Sequence, residues 1–250
     1  MTPAEGHAAL RDHAERDPNV LAFWLGGSRG KGRATAQSDY DCTVILANDA
    51  PDSGRRDIAA FRQPGIDVTI MPLAAFETYA DWGSATAWDR YSFAHVTAEV
   101  DKTGQVQPLI EAKGCVPPSV VGDFIDSSLD HLINQLYRAV KCLRDGDSAA
   151  SRLEAAEGVP PFLDATFALH GGRLRPYYKY LAWELEAYPL ERLAGGGLVG
   201  RLLAAQGPGA ALALQALVAE TQSLFHDDGH GASFEGWGET MDWMLTWTPA

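Results

Sequence analysis

Three aspartates and one glycine-rich turn carry the chemistry legible in this chain. Asp39 and Asp41 stand two residues apart at the head of an apolar run, Cys42-Thr43-Val44-Ile45-Leu46. Side chains alternate across a β-strand, so both carboxylates should emerge on one face. Two such anions repel each other unless a cation lies between them, and an all-oxygen ligand set suits magnesium better than zinc. Upstream, Gly26-Gly27-Ser28 offers backbone N–H groups and a hydroxyl, with Arg29, Lys31 and Arg33 close behind. That combination suits a phosphate chain, and metal plus phosphate cradle points to a nucleotide. Taken singly, each piece has a plainer explanation as an ordinary turn or an acidic strand start. A third acid changes the weighing. Residues 65 to 72, Gly-Ile-Asp-Val-Thr-Ile-Met-Pro, read as a buried strand interrupted by one carboxylate, which needs a partner there. Asp67 would complete a triad.

The elements that must position these groups follow from the pattern around them. Residues 20 to 26 and 40 to 47 are β-prone runs forming a hairpin around the glycine turn. A helix over residues 3 to 17 precedes it, ending where Asp17 meets Pro18. A short amphipathic segment within 49 to 62 leads into the Asp67 strand, which Pro72 closes before a helix over 73 to 82. Residues 91 to 100 predict a fourth strand ending in the turn Asp101-Lys102-Thr103-Gly104. Asp101 there either joins the acid cluster or serves backbone N–H groups of its own turn, and turn chemistry favours the second. A helix over 105 to 113 and the linker 114 to 118 complete this half.

Gly27-Ser28, ten residues from Arg29 to Ser38, Asp39-Tyr40-Asp41 and a later Asp67 form a pattern that resembles the DNA polymerase beta-like nucleotidyltransferase superfamily. The motifs span roughly the first 115 residues. The resemblance implies an α/β (α+β) fold: a small mixed β-sheet nucleotidyltransferase domain with flanking helices over residues 1 to 115, then an all-α helical bundle domain over 119 to 250. It further implies two Mg2+ ions on Asp39, Asp41 and Asp67, a nucleoside triphosphate (ATP by default) held by Gly27, Ser28, Arg29 and Lys31, and transfer to a hydroxyl acceptor. The two-domain layout looks most like the aminoglycoside and lincosamide nucleotidyltransferases, which implies a role in antibiotic resistance. A protein- or RNA-modifying relative and a degenerate nucleotide-binding module are the alternatives.

The second half reads as helices. Residues 119 to 144 place Val121, Ile125, Leu129, Leu132, Leu136, Val140 and Leu143 at spacings of three and four. The opposite face is charged and matched to the helix dipole, with Asp126 or Asp130 as less favoured candidates for a second base. Two helical pieces, 148 to 157 and 161 to 170, should break at Val159-Pro160-Pro161. Pro176 should open a further helix, whose start gathers Arg173, Arg175 and Lys179. Cations at a helix N-terminus oppose the dipole unless an anion holds them. By the resemblance that anion is the triphosphate and Lys179 its partner; local ion pairs are the plain alternative. Glycine-rich joints at 195 to 197 and 207 to 209 separate the last helices. Residues 226 to 230, His-Asp-Asp-Gly-His, read as a polar loop rather than a metal site, and 234 to 245 as a capping helix.

Composition bounds the partners. Thirty-three acidic against twenty basic residues give a net charge of -13, which disfavours long nucleic acid and favours a cationic small molecule. Three scattered cysteines suggest neither a disulfide framework nor a zinc site, and fit a reducing, cytoplasmic setting. No stretch of about eighteen apolar residues marks a membrane span.

Overall fold

The structure, a computed structural model, describes residues 1–193 and 197–249. The chain divides into two units, Met1–Pro117 and Pro118–Ala250. The first opens with α1 (Pro3–Arg16), whose start is set by a capping box in which Thr2 and Glu5 satisfy each other's backbone N–H groups. β1 (Val20–Leu25) runs into the four-residue helix α2 (Gly27–Gly30), and β2 (Tyr40–Leu46) returns antiparallel to β1. α3 (Asp52–Ala59) carries the chain across to β3 (Ile66–Pro72), parallel to β2. After α4 (Leu73–Thr78) and a 3-10 helix (Ala87–Phe93), β4 (Val100–Asp101) pairs antiparallel with β1, and α5 (Val106–Lys113) ends the unit. The sheet is therefore mixed, with strand order β3-β2-β1-β4.

Alternation along the central strands builds two cores. Phe23, Cys42, Val44, Ile66, Val68 and Ile70 face Leu10 and Ala14 of α1 and Ile58 of α3. Ala22, Trp24 and Ile45 face Phe76, Phe93, Val106 and Ile110 on the other side.

Two strand expectations need correction. β3 is not buried on both faces: Ile66, Val68 and Ile70 are buried while Asp67 and Thr69 are exposed, because β3 is an edge strand. Asp67 therefore pays no desolvation cost. The fourth strand shrinks to two residues. The first residues of the expected strand, 91 to 93, belong to the 3-10 helix instead, where Phe93 packs against Trp24, Phe76 and Tyr79 at ring separations of 6.4, 5.9 and 6.2 Å. Asp101 takes the plainer of its two readings. One of its carboxylate oxygens accepts from Thr103 and Gly104 N–H groups, the other from those of Val106 and Gln107 at the start of α5.

The second unit is helical throughout its named elements: α6 (Val121–Arg144), α7 (Ser148–Leu169), α8 (Tyr178–Ala187), α9 (Leu198–Ala204), α10 (Ala210–Asp227), α11 (Ala232–Glu235) and α12 (Glu239–Thr246). The α6 stripe packs as its spacing predicts, with Ile125, Leu129, Leu132, Leu136 and Val140 buried. α7 runs unbroken through Pro160 and Pro161. Interior proline costs a helix about 3 kcal/mol, but Val159, Phe162, Leu163 and Phe167 are all buried, and each contributes about 1.5–3 kcal/mol. Tertiary burial wins. The expected capping helix is two short ones, split where Gly238 takes φ 49°, although Phe234, Met241 and Met244 are buried as predicted. Of the joint expected at 195 to 197, residues 195 and 196 lie outside the described residues, and Gly197 is left-handed at the N-cap of α9. Among the described residues, no helix is long and apolar enough to cross a membrane.

Candidate active site

The ladder between β2 and β3 sets Asp41 opposite Asp67. Register partners share a face, and Asp39, two residues before Asp41, joins them. One carboxylate oxygen from each of Asp39, Asp41 and Asp67 lies within 4.8 Å of the others. This is the one such cluster of three or more metal-capable side chains among the described residues; residues 226 to 230 form none.

The glycine turn is built against this cluster. The Gly26 N–H donates to the Asp41 carbonyl at 2.7 Å, extending the β1–β2 pairing past the end of β1. Gly27 then adopts φ 55°, and a Cβ there would stand 1.8 Å from Asp41 Oδ2. At Gly30 a Cβ would lie 2.0 Å from the Leu25 carbonyl oxygen. Both positions therefore require glycine, the first because a carboxylate occupies the space of its side chain. Turn backbone and metal-capable acid share one pocket of space, as a site gripping cation and phosphate together needs.

The donor set fits a hard divalent cation. All three ligating atoms are carboxylate oxygens. Oxygens around magnesium at about 2.1 Å stand roughly 3 to 4 Å apart, so a small inward movement of exposed side chains completes the set. Cys42, next in sequence to Asp41, points to the other face and is buried. Burial, with smaller contributions from Glu99, Asp41 and Asp67, pushes its thiol up to about 12, so it stays a neutral core residue.

Two of the cations behind the turn have other work. Lys31, expected on the phosphates, is buried; its ammonium donates to the carbonyls of Tyr91 (3.2 Å), Ser92 (3.4 Å) and Ala94 and sits 4.8 Å from the Tyr91 ring centroid. It holds the chain ahead of His95, a residue at φ 59°. A lysine three residues beyond a Gly-Ser turn can curl under the sheet as readily as reach out, and spacing does not distinguish the two. Arg29 is likewise engaged, its Nε and Nη2 donating to the Ser38 and Asp39 carbonyls and its plane lying 4.0 Å over the Tyr40 ring. Sequence reasoning passed over Tyr40 and His7, whose rings stack at 5.0 Å. The available signal was alternation: a residue between two same-face acids points to the opposite face and must pack on something.

In the second unit, local pairing accounts for two of the three gathered cations. Arg173 bonds Glu184 at 2.9 Å and Arg175 bonds Asp164 at 2.8 Å. α8 begins at Tyr178, two residues beyond Pro176. Lys179 is exposed in its first turn, with its ammonium 4.8 Å from the Tyr180 ring centroid; its assignment to the triphosphate rests on the resemblance. Asp126 accepts from His230 Nδ1 at 2.7 Å and Asp130 from Trp237 Nε1 at 3.4 Å, so both acids serve contacts within the helical unit. Apolar cavities of about 430 and 330 Å³ flank α8 and α9 and share no residue with the aspartate cluster.

No family model matches the sequence, and no curated protein matches it. Among solved structures, the chain is similar to a nucleotidyltransferase-like protein from Exiguobacterium sibiricum 255-15. Identity is 12% over 95% of this chain and 80% of that one, with a TM-score of 0.43.

Proposed function

We propose that this chain is a divalent-cation-dependent nucleotidyltransferase that moves a nucleoside monophosphate from a triphosphate, ATP by default, to a hydroxyl of a small acceptor. The observation that carries this reading is the convergence of Asp39, Asp41 and Asp67 on one face beside a turn whose Gly27 leaves room only for the Asp41 carboxylate.

Asp39, Asp41 and Asp67 would hold magnesium, which supplies charge neutralisation at the triphosphate and a lowered pKa for the acceptor hydroxyl. The chain's own groups account for the remainder. The backbone of the Gly26-Gly27-Ser28 turn, with the Ser28 hydroxyl, receives the β- and γ-phosphates. Asp67, exposed at the sheet edge, accepts the acceptor's proton as its oxygen bonds to the α-phosphorus. The bond from the α-phosphorus to the bridging oxygen breaks, and pyrophosphate leaves. Arg29 and Lys31 have no part in phosphate binding on this reading, since carbonyl oxygens already take the Nε–Nη2 edge of Arg29 and the buried ammonium of Lys31.

The acceptor is proposed from charge. A net charge of -13 repels polynucleotides and attracts amine-bearing compounds, which favours polyhydroxylated cationic molecules of the aminoglycoside or lincosamide kind. Screening such compounds for magnesium-dependent pyrophosphate release tests this. Release with a cationic acceptor that weakens as salt rises supports it, because attraction is screened within about 10 Å at 0.1 M salt. Labelling of macromolecules in a lysate with every small compound inert moves the acceptor to protein.

A further inference from the structure

We propose that Arg29 is the positioning residue of the Asp39-Tyr40-Asp41 segment and not a cation for the triphosphate; the inference rests on the metal-site reading above. The ladder between β2 and β3 begins at Tyr40, opposite Ile66, with the Tyr40 N–H donating to the Gly65 carbonyl at 2.9 Å. Asp39 lies outside it. The residues leading to Asp39, from Arg33 to Gln37, are exposed, so burial does not fix its approach either. The loop has its own turn, with Ser38 bonded to Thr35 at 2.9 and 3.1 Å, but that turn does not tie Asp39 to the sheet, and a metal ligand set loses affinity when its members must be ordered on binding.

Arg29 supplies what the ladder lacks. Its Nε donates to the Ser38 carbonyl at 3.1 Å and to the Asp39 carbonyl at 3.0 Å, and its Nη2 to Ser38 at 2.7 Å. The face of the same guanidinium lies 4.0 Å from the Tyr40 ring centroid. Tyr40 is held in turn by His7 of α1, at 5.0 Å and an interplanar angle of 29°. Edge and face of one rigid plane thus fix three consecutive residues, 38 to 40, including the backbone of one acid and the side chain between the two. The Nε–Nη2 edge, one of the two edges of the fork able to grip a phosphate bidentately, is here turned onto carbonyls. A lysine could keep the charge but neither the fork nor the stacked plane.

The test uses Mn2+ alone as probe, titrated calorimetrically into the full chain, together with steady-state kinetics on the nucleotide. Groups that orient metal ligands typically set 10- to 100-fold in affinity. Arg29→Lys should therefore weaken Mn2+ binding by about 10- to 100-fold and lower kcat, while the nucleotide KM at saturating metal stays within about twofold. Tyr40→Leu, which leaves Arg29 and all charges in place, should weaken Mn2+ binding in the same direction and covers the case in which Arg29→Lys fails to fold. Wild-type Mn2+ affinity in these variants, with a raised nucleotide KM in Arg29→Lys, would overturn the positioning role and return Arg29 to the phosphates. Absence of Mn2+ binding by the unaltered chain would instead overturn the metal site itself, and the inference with it.

Discussion

Replacing Gly27 by alanine separates the site's geometry from the chain's stability. The new methyl carbon would start 1.8 Å from Asp41 Oδ2, 2.8 Å from its Cγ and 3.3 Å from its Cβ. A carbon and an oxygen in contact settle at roughly 3.3 Å, so the carboxylate end must retreat by about 1.5 Å. Rotation of one half-exposed side chain achieves this cheaply, which leaves the φ of 55° at Gly27 as the main stability cost, about 1–2 kcal/mol. Catalysis should suffer far more, since a misplacement of about 1 Å can cost about 100-fold, or roughly 2.7 kcal/mol of barrier. Gly32→Ala is the matched control: it imposes alanine at φ 67°, yet nothing lies within 4 Å of the added carbon. Thermal unfolding and magnesium-dependent turnover of both variants should show similar losses of melting temperature but a collapse of kcat only for Gly27→Ala. Equal turnover in the two variants would refute the claim that Gly27 exists to accommodate Asp41.

Asp41→Asn should abolish the rise in melting temperature that Mg2+ gives the unaltered protein, because it removes one charged ligand of the cation; differential scanning fluorimetry with and without EDTA reads it, and a Mg2+ shift of unaltered size would contradict it. Lys31→Met leaves the Tyr91, Ser92 and Ala94 carbonyls short of a donor and should destabilise the fold by about 1–3 kcal/mol in denaturant titration, while the nucleotide KM is unchanged; the reverse pattern would restore Lys31 to the phosphates. The Cys42 thiol is raised to about 12 in the folded chain, by burial first and then by Glu99, Asp41 and Asp67. A raised folded pKa gives stability that is complete below the unfolded value, about 8.5, and is lost as pH climbs toward the folded one. Cys42→Val should therefore flatten the alkaline fall in unfolding midpoint, and an unchanged slope would contradict this.

The hairpin and the Asp-x-Asp face were legible because strand alternation is a local rule with a period of two, while Asp67 was tied to the pair by the superfamily pattern. Its place in the run was read for an incomplete reason: an isolated acid among apolar residues read as buried, whereas the edge position of β3 leaves its second face to solvent. Edge or centre is a property of the whole sheet, and no window of eight residues contains it. The destinations of Arg29 and Lys31 were hidden for a related cause. Both side chains are long enough to reach a ligand or to fold back on carbonyls, and for Lys31 the deciding acceptors lie sixty or more residues away. At Pro160 and Pro161 a sound local rule lost to packing, as the burial of Phe162 and Leu163 outweighs the two missing helix bonds. Arg173 and Arg175 show the converse, since their acid partners lie within eleven residues and local pairing was the reading at hand.

The central claim is that the three aspartates and the glycine turn perform nucleotidyl transfer. It is tested most directly by incubating the chain with Mg2+, a panel of hydroxylated cationic acceptors and ATP labelled in parallel at the α- or the γ-phosphorus. The account predicts that the α-label moves to an acceptor while the γ-label appears only in pyrophosphate, and that Asp41→Asn stops both. Transfer of the γ-label to an acceptor, or α-label transfer that persists in Asp41→Asn, would contradict it.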